Sequence, residues 1–295
     1  MRKIQLLLAN EQSVTELRRY RNMKLAYPVA EPAYTGKVKA YTGGYEAAFS
    51  SLQKQGYQGV ELLIANPDTV QKEILREQME RFGLKLAVIG TSPMQIGEKL
   101  FLLHPDPENR REARRRMSGL IRLCGEFGVP AVIGKYRGQI ADAPGCRETD
   151  LEEVLKDVCA EAASFGVPVL IEPQNATNIN NINTIRDGLD WIRRIGYEKM
   201  GLLADIYHMG ITEASIVDSL RYAAGHIGFI HMSDSDRKVP GDGTLPIRDV
   251  VKTLEETGYS GYISLEIDQI PDPVTVSRRS ASFLFASETH AESVI

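Results

Sequence analysis

Three segments of the chain repeat one order of residues. ERFGLKLAVIG (80–90), GEFGVPAVIG (125–134) and ASFGVPVLIEP (163–173) each pass from a charged amphipathic stretch through a glycine into a short apolar run rich in β-branched residues. A glycine in that place supplies the left-handed residue that ends a helix. An unbroken apolar run is what a strand covered on both faces requires, and strands covered on both faces are parallel ones joined by helices. Runs of this kind fall at Ile4–Ala9, Gly59–Ala65, Lys85–Gly90, Ala131–Gly134, Val167–Glu172, Gly201–Asp205, Ile227–Met232 and Tyr262–Ile267. Helical patterns lie near 44–55, 69–82, 107–127, 150–165, 184–195, 215–224, 246–257 and 273–288, and Gly56, Gly83, Gly128, Gly166, Gly196, Gly225 and Gly258 follow the first seven.

Eight β–α units without a compositional break predict one closed (β/α)8 TIM barrel spanning residues 1–295. A doubly wound sheet would carry a glycine-rich fingerprint after its first strand, and Leu8-Ala9-Asn10-Glu11 is not one. Residues 10–43, which hold Pro28, Pro32 and Gly36, cannot form one helix and are expected to make an elongated, lid-like loop after the first strand. Tyr20, Tyr27, Tyr34 and Tyr41 fall seven apart there, a period that the prolines deprive of helical meaning.

Composition narrows the partners. Thirty-five Lys and Arg against 39 Asp and Glu give a net charge of −4, a poor match to a phosphate backbone. Cys124, Cys146 and Cys159 form neither a disulfide framework nor a metal-type spacing, which suits a reducing compartment. The N-terminal apolar run is too short for a signal sequence and no 18-residue apolar stretch occurs, so a cytoplasmic protein without membrane or nucleic-acid partners is expected, with a homo-oligomer left open.

The polar residues at the strand ends carry the functional reading. Four consecutive strands end on Glu172, Asp205, His231 and Glu266, the positions from which a barrel builds its active face. Three carboxylates converging there would repel one another, and a divalent cation is the economical remedy. The mixed oxygen and nitrogen set favours manganese or cobalt, with magnesium or zinc as alternatives. Glu61, inside the second strand, and His104, in a loop on the active face, are further candidates for the substrate side, as are Lys135 and Arg137 after strand four. His226 lies on the opposite face and reads as structural, and the run Arg110 to Arg116 reads as a solvated helix face.

Glu172, Asp205 with His208 three residues on (ADIYHM, 204–209), His231 with Arg237 six residues on (IHMSDSDRKVPGDG, 230–243) and Glu266 together resemble the signature of the xylose-isomerase-like TIM barrels. The likeness is to the D-tagatose/D-psicose 3-epimerase and 5-keto-L-gluconate epimerase families, and GTSPMQ…LLHPDPENRREA (90–113) is similar to the latter. It runs over nearly the whole chain outside 10–43. The resemblance implies a metal-dependent epimerase or isomerase acting on a keto-sugar through an enediolate. Glu172 and Glu266 would be the acid–base pair and also metal ligands, Asp205 and His231 ligands only, and His208 and Arg237 substrate contacts. A metal-dependent lyase cleaving a 3-keto-glycoside by elimination is the alternative. The 3-epimerases usually carry a second glutamate six residues after the first, where this chain has Asn178 within the amide-rich run NATNINNIN (175–183). With Lys135 and Arg137 nearby, that departure favours an anionic or glycosylated keto-sugar.

Overall fold

A computed structural model describes residues 23–285. Eight parallel strands close into a barrel in sequence order: β1 (Lys24–Ala30), β2 (Gly59–Leu63), β3 (Lys85–Gly90), β4 (Ala131–Ile133), β5 (Val169–Ile171), β6 (Met200–Asp205), β7 (Ile227–His231) and β8 (Tyr262–Ser264). The major helices cover Tyr45–Lys54, Lys72–Phe82, Pro107–Phe127, Glu148–Ser164, Ile185–Ile195, Ile216–Tyr222, Ile247–Glu256 and Pro273–Phe285. Helices ending at Gly83, Gly128 and Gly196 do so in the left-handed conformation, with φ of 66°, 67° and 73°. Seven strands and all eight helices thus stand where the repeated unit predicts them. Short helices at Ser92–Ile96 and Ile206–Thr212, on the active face, were not foreseen.

The first strand is the correction. The expected Ile4–Ala9 lies outside the described residues, and Lys24–Ala30 pairs with both β2 and β8 to close the ring. Residues 10–43 are therefore not one lid-like loop, since a barrel strand runs through them. Pro28 is tolerated there for a specific reason. Even-numbered residues of β1 turn their backbone groups toward β8, where pairing stops at Ala26↔Ser264; the Pro28 carbonyl accepts from the Tyr41 N–H at 3.0 Å, and no donor is required. Tyr27, Tyr34 and Tyr41 are all buried, and the Tyr27 ring meets those of Tyr41 and Tyr57 edge-on at 5.3 and 5.6 Å.

The main apolar core fills the space between barrel and helices, and a smaller cluster of Ala26, Ala87, Val88, Val132, Leu170, Leu203 and Phe229 plugs the interior. The Phe229 ring stands 5.8 Å from that of His231, so the plug is the floor of the polar mouth above it. No helix among the described residues is long and apolar enough to cross a membrane.

Candidate active site

The strand ends converge as the repeat requires. Glu172 follows β5, Asp205 and His231 close β6 and β7, and Glu266 lies two residues past β8. His231 Nδ1 is 3.7 Å from Glu172 Oε1, 3.8 Å from Asp205 Oδ2 and 3.8 Å from Glu266 Oε2. That nitrogen is buried and has no hydrogen-bond partner among the described residues. A buried nitrogen without a partner is costly, and a cation held between it and the three carboxylate oxygens would satisfy it. Metal bonds of about 2.0–2.2 Å would separate neighbouring ligand atoms by roughly the distances seen. Asp205, His231 and Glu266, and in a second grouping Glu172, Asp205 and His208, each bring one donor atom within 4.8 Å of the others. The donor set fits a divalent metal.

Glu61 stands behind His231. Its oxygens lie 3.0 and 3.1 Å from His231 Nε2, and Ser264 Oγ donates to one of them at 2.6 Å. Such a carboxylate fixes the ring so that Nδ1 faces the cluster. Burial opposes a charged imidazolium, yet Glu61, Asp205 and Glu172 hold His231 well above the usual histidine range. Burial likewise works against the Asp205 carboxylate, but Arg237, His208 and His231 keep it well below its ordinary value. Burial pushes Glu266 up to about 7 against the pull of Arg237 and His231.

Arg237 ties the cluster together. Its Nη1 is 2.8 Å from Asp205 Oδ2 and 2.7 Å from Glu266 Oε2, and its guanidinium lies over the Tyr207 ring at 4.2 Å. Asp236 and Arg237 adopt φ of 57° and 56°, an uncommon conformation for residues with a Cβ and one that costs about 1–3 kcal/mol each. Burial lowers the pKa of His208 against the opposing pull of Asp205 and Glu172. Asn175 Oδ1 accepts from the Thr177 amide and hydroxyl, so Asn175 Nδ2 faces His208 Nδ1 at 2.7 Å and leaves the proton on Nε2. His208 Nε2 and Arg237 Nη2 stand 3.1 Å apart, and both residues line the cavity.

Glu61, Glu172, His208, His231, Arg237 and Glu266 line a cavity of about 280 Å³, together with Lys39, Thr91, Gln95, Lys135, Gln174 and Asn178. Two expectations fail. His104 does not reach the cavity: its Nδ1 accepts from the Asp106 N–H at 3.1 Å and its ring stacks on Phe101, so it serves its own loop. Arg137 is fully buried and makes five hydrogen bonds to neutral oxygens of Gly134, Glu172, Asn181 and Ile182, so it braces the wall behind Glu172 and does not face substrate. Lys135 does line the cavity. Gln174 and Lys39 escaped the sequence reading, Lys39 because its segment was taken for a lid. Gln174 was signalled only by its place two residues after Glu172.

The xylose isomerase-like TIM barrel pattern matches residues 49–286. The chain belongs to that family. An L-ribulose 3-epimerase from Mesorhizobium japonicum is 33% identical over 226 residues, 75% of this chain and 74% of the relative. A probable ketose 3-epimerase from Synechocystis is 24% identical over 233 residues, 77% of this chain and 80% of the relative. The structure of a 3-keto-D-glucoside 4-epimerase from E. coli superposes with a TM-score of 0.70 at 20% identity, covering 88% of this chain and 99% of that one, a likeness of fold. The relatives make this barrel an enzyme of the sugar epimerase group.

Proposed function

We propose that the protein epimerises a keto-sugar with the help of one divalent metal ion, manganese or cobalt first, held by Glu172, Asp205, His231 and Glu266. The observation that carries the reading is the orphaned His231 Nδ1 at 3.7–3.8 Å from three carboxylate oxygens. The metal, when bound, supplies Lewis-acid polarisation of the substrate carbonyl and its neighbouring hydroxyl. The remaining chemistry belongs to the chain. Epimerisation takes a proton from a carbon beside the ketone on one face and returns one on the other, so two acid–base groups must flank that carbon. Glu172 and Glu266 come from strands separated by β6 and β7 and both line the cavity, which suits them to the two faces. His208 and Arg237 donate to the oxygens on which negative charge grows, and Glu61 keeps His231 in place.

The names of the relatives support proton abstraction at either carbon 3 or carbon 4 of the sugar, each beside a ketone, and this acid–base pair serves both. Three buried free cysteines accord with a cytoplasmic setting. The test is mass spectrometry of products after the Mn²⁺-loaded enzyme has acted on L-ribulose, D-psicose and a 3-keto-glucoside in D₂O. Epimerisation leaves one solvent-derived deuterium and no change of formula, whereas elimination splits the glycoside. Turnover undiminished by EDTA would overturn the metal-dependent reading.

A further inference from the structure

Glu172 is held by a hydrogen-bonded chain that ends on a cation. Lys135 Nζ donates to Asn178 Oδ1 at 3.0 Å, Asn178 Nδ2 to Gln174 Oε1 at 2.7 Å, and Gln174 Nε2 to Glu172 Oε2 at 2.5 Å. The polarity is not arbitrary. An ammonium can only donate, so it fixes the oxygen of Asn178 toward itself; Asn178 must then offer its NH₂ group to Gln174, which must offer its own to the carboxylate. Every amide along the way is spent, and all three residues line the cavity. The other oxygen of the same carboxylate, Oε1, is the one facing His231 Nδ1.

We propose that Lys135, Asn178 and Gln174 form a positioning relay for Glu172. It pins Oε2 so that Oε1 is presented to the metal and the carboxylate keeps one orientation against the substrate. The amide-rich run that departs from the 3-epimerase pattern at Asn178 thereby acquires a role in setting the acid–base group, distinct from grasping the far end of the sugar. The wall beside Oε2 is fitted to the same purpose. A Cβ at Gly134 would overlap Glu172 Oε2 and stand 3.1 Å from Gln174 Nε2, so glycine leaves room for this bond. Arg137 holds the backbone beneath it by donating to the Gly134 and Glu172 carbonyls at 2.8 and 2.9 Å. Chains of hydrogen bonds with charged ends polarise one another, so removal of the distant ammonium is felt at the carboxylate.

The inference rests on the reading of Glu172 as metal ligand and acid–base group, and the experiment separates the two. Mn²⁺ is titrated calorimetrically into wild type, Gln174→Leu, Lys135→Met, Lys135→Arg, Glu172→Gln and the Gln174→Leu/Glu172→Gln double variant, with melting temperatures of the metal-free proteins as the check on folding. Gln174→Leu should weaken Mn²⁺ binding about 10- to 100-fold, the range for groups that orient a metal ligand. Lys135→Met should weaken it by less, and Lys135→Arg should restore it. The glutamine substitution should cost nothing further once Glu172 is already Gln. On L-ribulose, Gln174→Leu and Lys135→Met should lower kcat with little change in KM. Unchanged Mn²⁺ affinity in a folded Gln174→Leu protein overturns the relay. So does a Lys135→Met protein that raises KM alone, which would make the lysine a substrate contact, or an additive double variant. Failure of wild type itself to bind Mn²⁺ overturns the metal reading and the relay with it.

Discussion

The two glutamates expected to share proton transfer are held by opposite means. Glu172 is buried, with neutral amides against its Oε2 and its nearest cation of that chain two amides away at Lys135. Glu266 is 20% exposed at the side chain and carries a guanidinium directly on Oε2 at 2.7 Å. Strain accompanies both. On the Glu172 side, Ile182 takes φ of 50° and lends its carbonyl to Arg137; on the other, Asp236 and Arg237 themselves are left-handed. One carboxylate is thus set by dipoles whose direction is locked, the other by a formal charge that also pairs with Asp205. An amide chain constrains orientation while leaving charge on the carboxylate. A guanidinium places a full positive charge on the oxygens it holds.

The largest expected effect tests whether the halves are equivalent in chemistry despite their different supports. Glu172→Gln and Glu266→Gln should each lower kcat by about 10²- to 10⁴-fold while the barrel stays folded, because Gln keeps the volume and loses the base. Metal content is measured alongside, since each residue is also a proposed ligand. A variant of either glutamate that retains near-wild-type turnover with its metal breaks the two-face scheme. Arg237→Met comes next: it removes a donor to the growing oxyanion and strips Asp205 and Glu266 of their partner, and kcat/KM should fall about 10²- to 10³-fold. Arg237→Lys should recover only part, because an ammonium placed where Nη1 meets both carboxylates leaves nothing in the place of Nη2 beside His208. Full recovery with Lys would mean that charge alone matters on the Glu266 side. On the other side the corresponding probe is Gly134→Ala, whose Cβ would collide with Glu172 Oε2. A displacement of about 1 Å should cost about 10²-fold in kcat, and a crystal structure of the variant should show the carboxylate turned away from Gln174. Wild-type activity there would show that the orientation of Glu172 is not limiting.

How much of this was legible in the sequence differs between the same two halves. Strand ends announce themselves because a carboxylate closing a buried apolar run is costly unless used, so Glu172, Asp205, His231 and Glu266 stood out together. Glycines after helices fixed the unit length, and seven strands followed. The first strand did not, because Pro28 reads as a breaker until the ladder toward β8 is known to stop two residues earlier. Arg137 and His104 show the limit for loops. Both follow strands on the active face, yet the guanidinium turns inward to satisfy carbonyls 35 and 44 residues away in the chain, and the imidazole caps its own turn. The relay is of the same kind: Lys135 and Asn178 are separated by 43 residues, and neither type nor spacing encodes that they meet.

The smallest expected effect is in stability, and it isolates the Glu266 side. Burial raises Glu266 from an ordinary 4.5 to about 7, so the folded protein binds a proton that the unfolded chain has released over that interval. Stability therefore falls with rising pH wherever the native state holds more protons. The contribution is fully present below about pH 4.5 and is lost as the pH climbs to about 7, at no more than about 1.4 kcal/mol per unit. His231, also raised, begins to add to the loss only above the usual histidine range, Asp205, lowered, acts below the window, and His208, lowered, opposes the loss within it, so the difference between wild type and Glu266→Gln is what isolates the carboxylate. In EDTA, the melting temperature of the wild type should decline between these limits more steeply than that of Glu266→Gln, which has no proton to lose at that position. Arg237→Met should carry the decline to higher pH, because the guanidinium now holds Glu266 down. Saturating Mn²⁺ should reverse the trend, since binding needs the ionised carboxylate and displaces the proton. Parallel curves for wild type and Glu266→Gln across this window would remove the claim that the two glutamates differ in how their charge is kept.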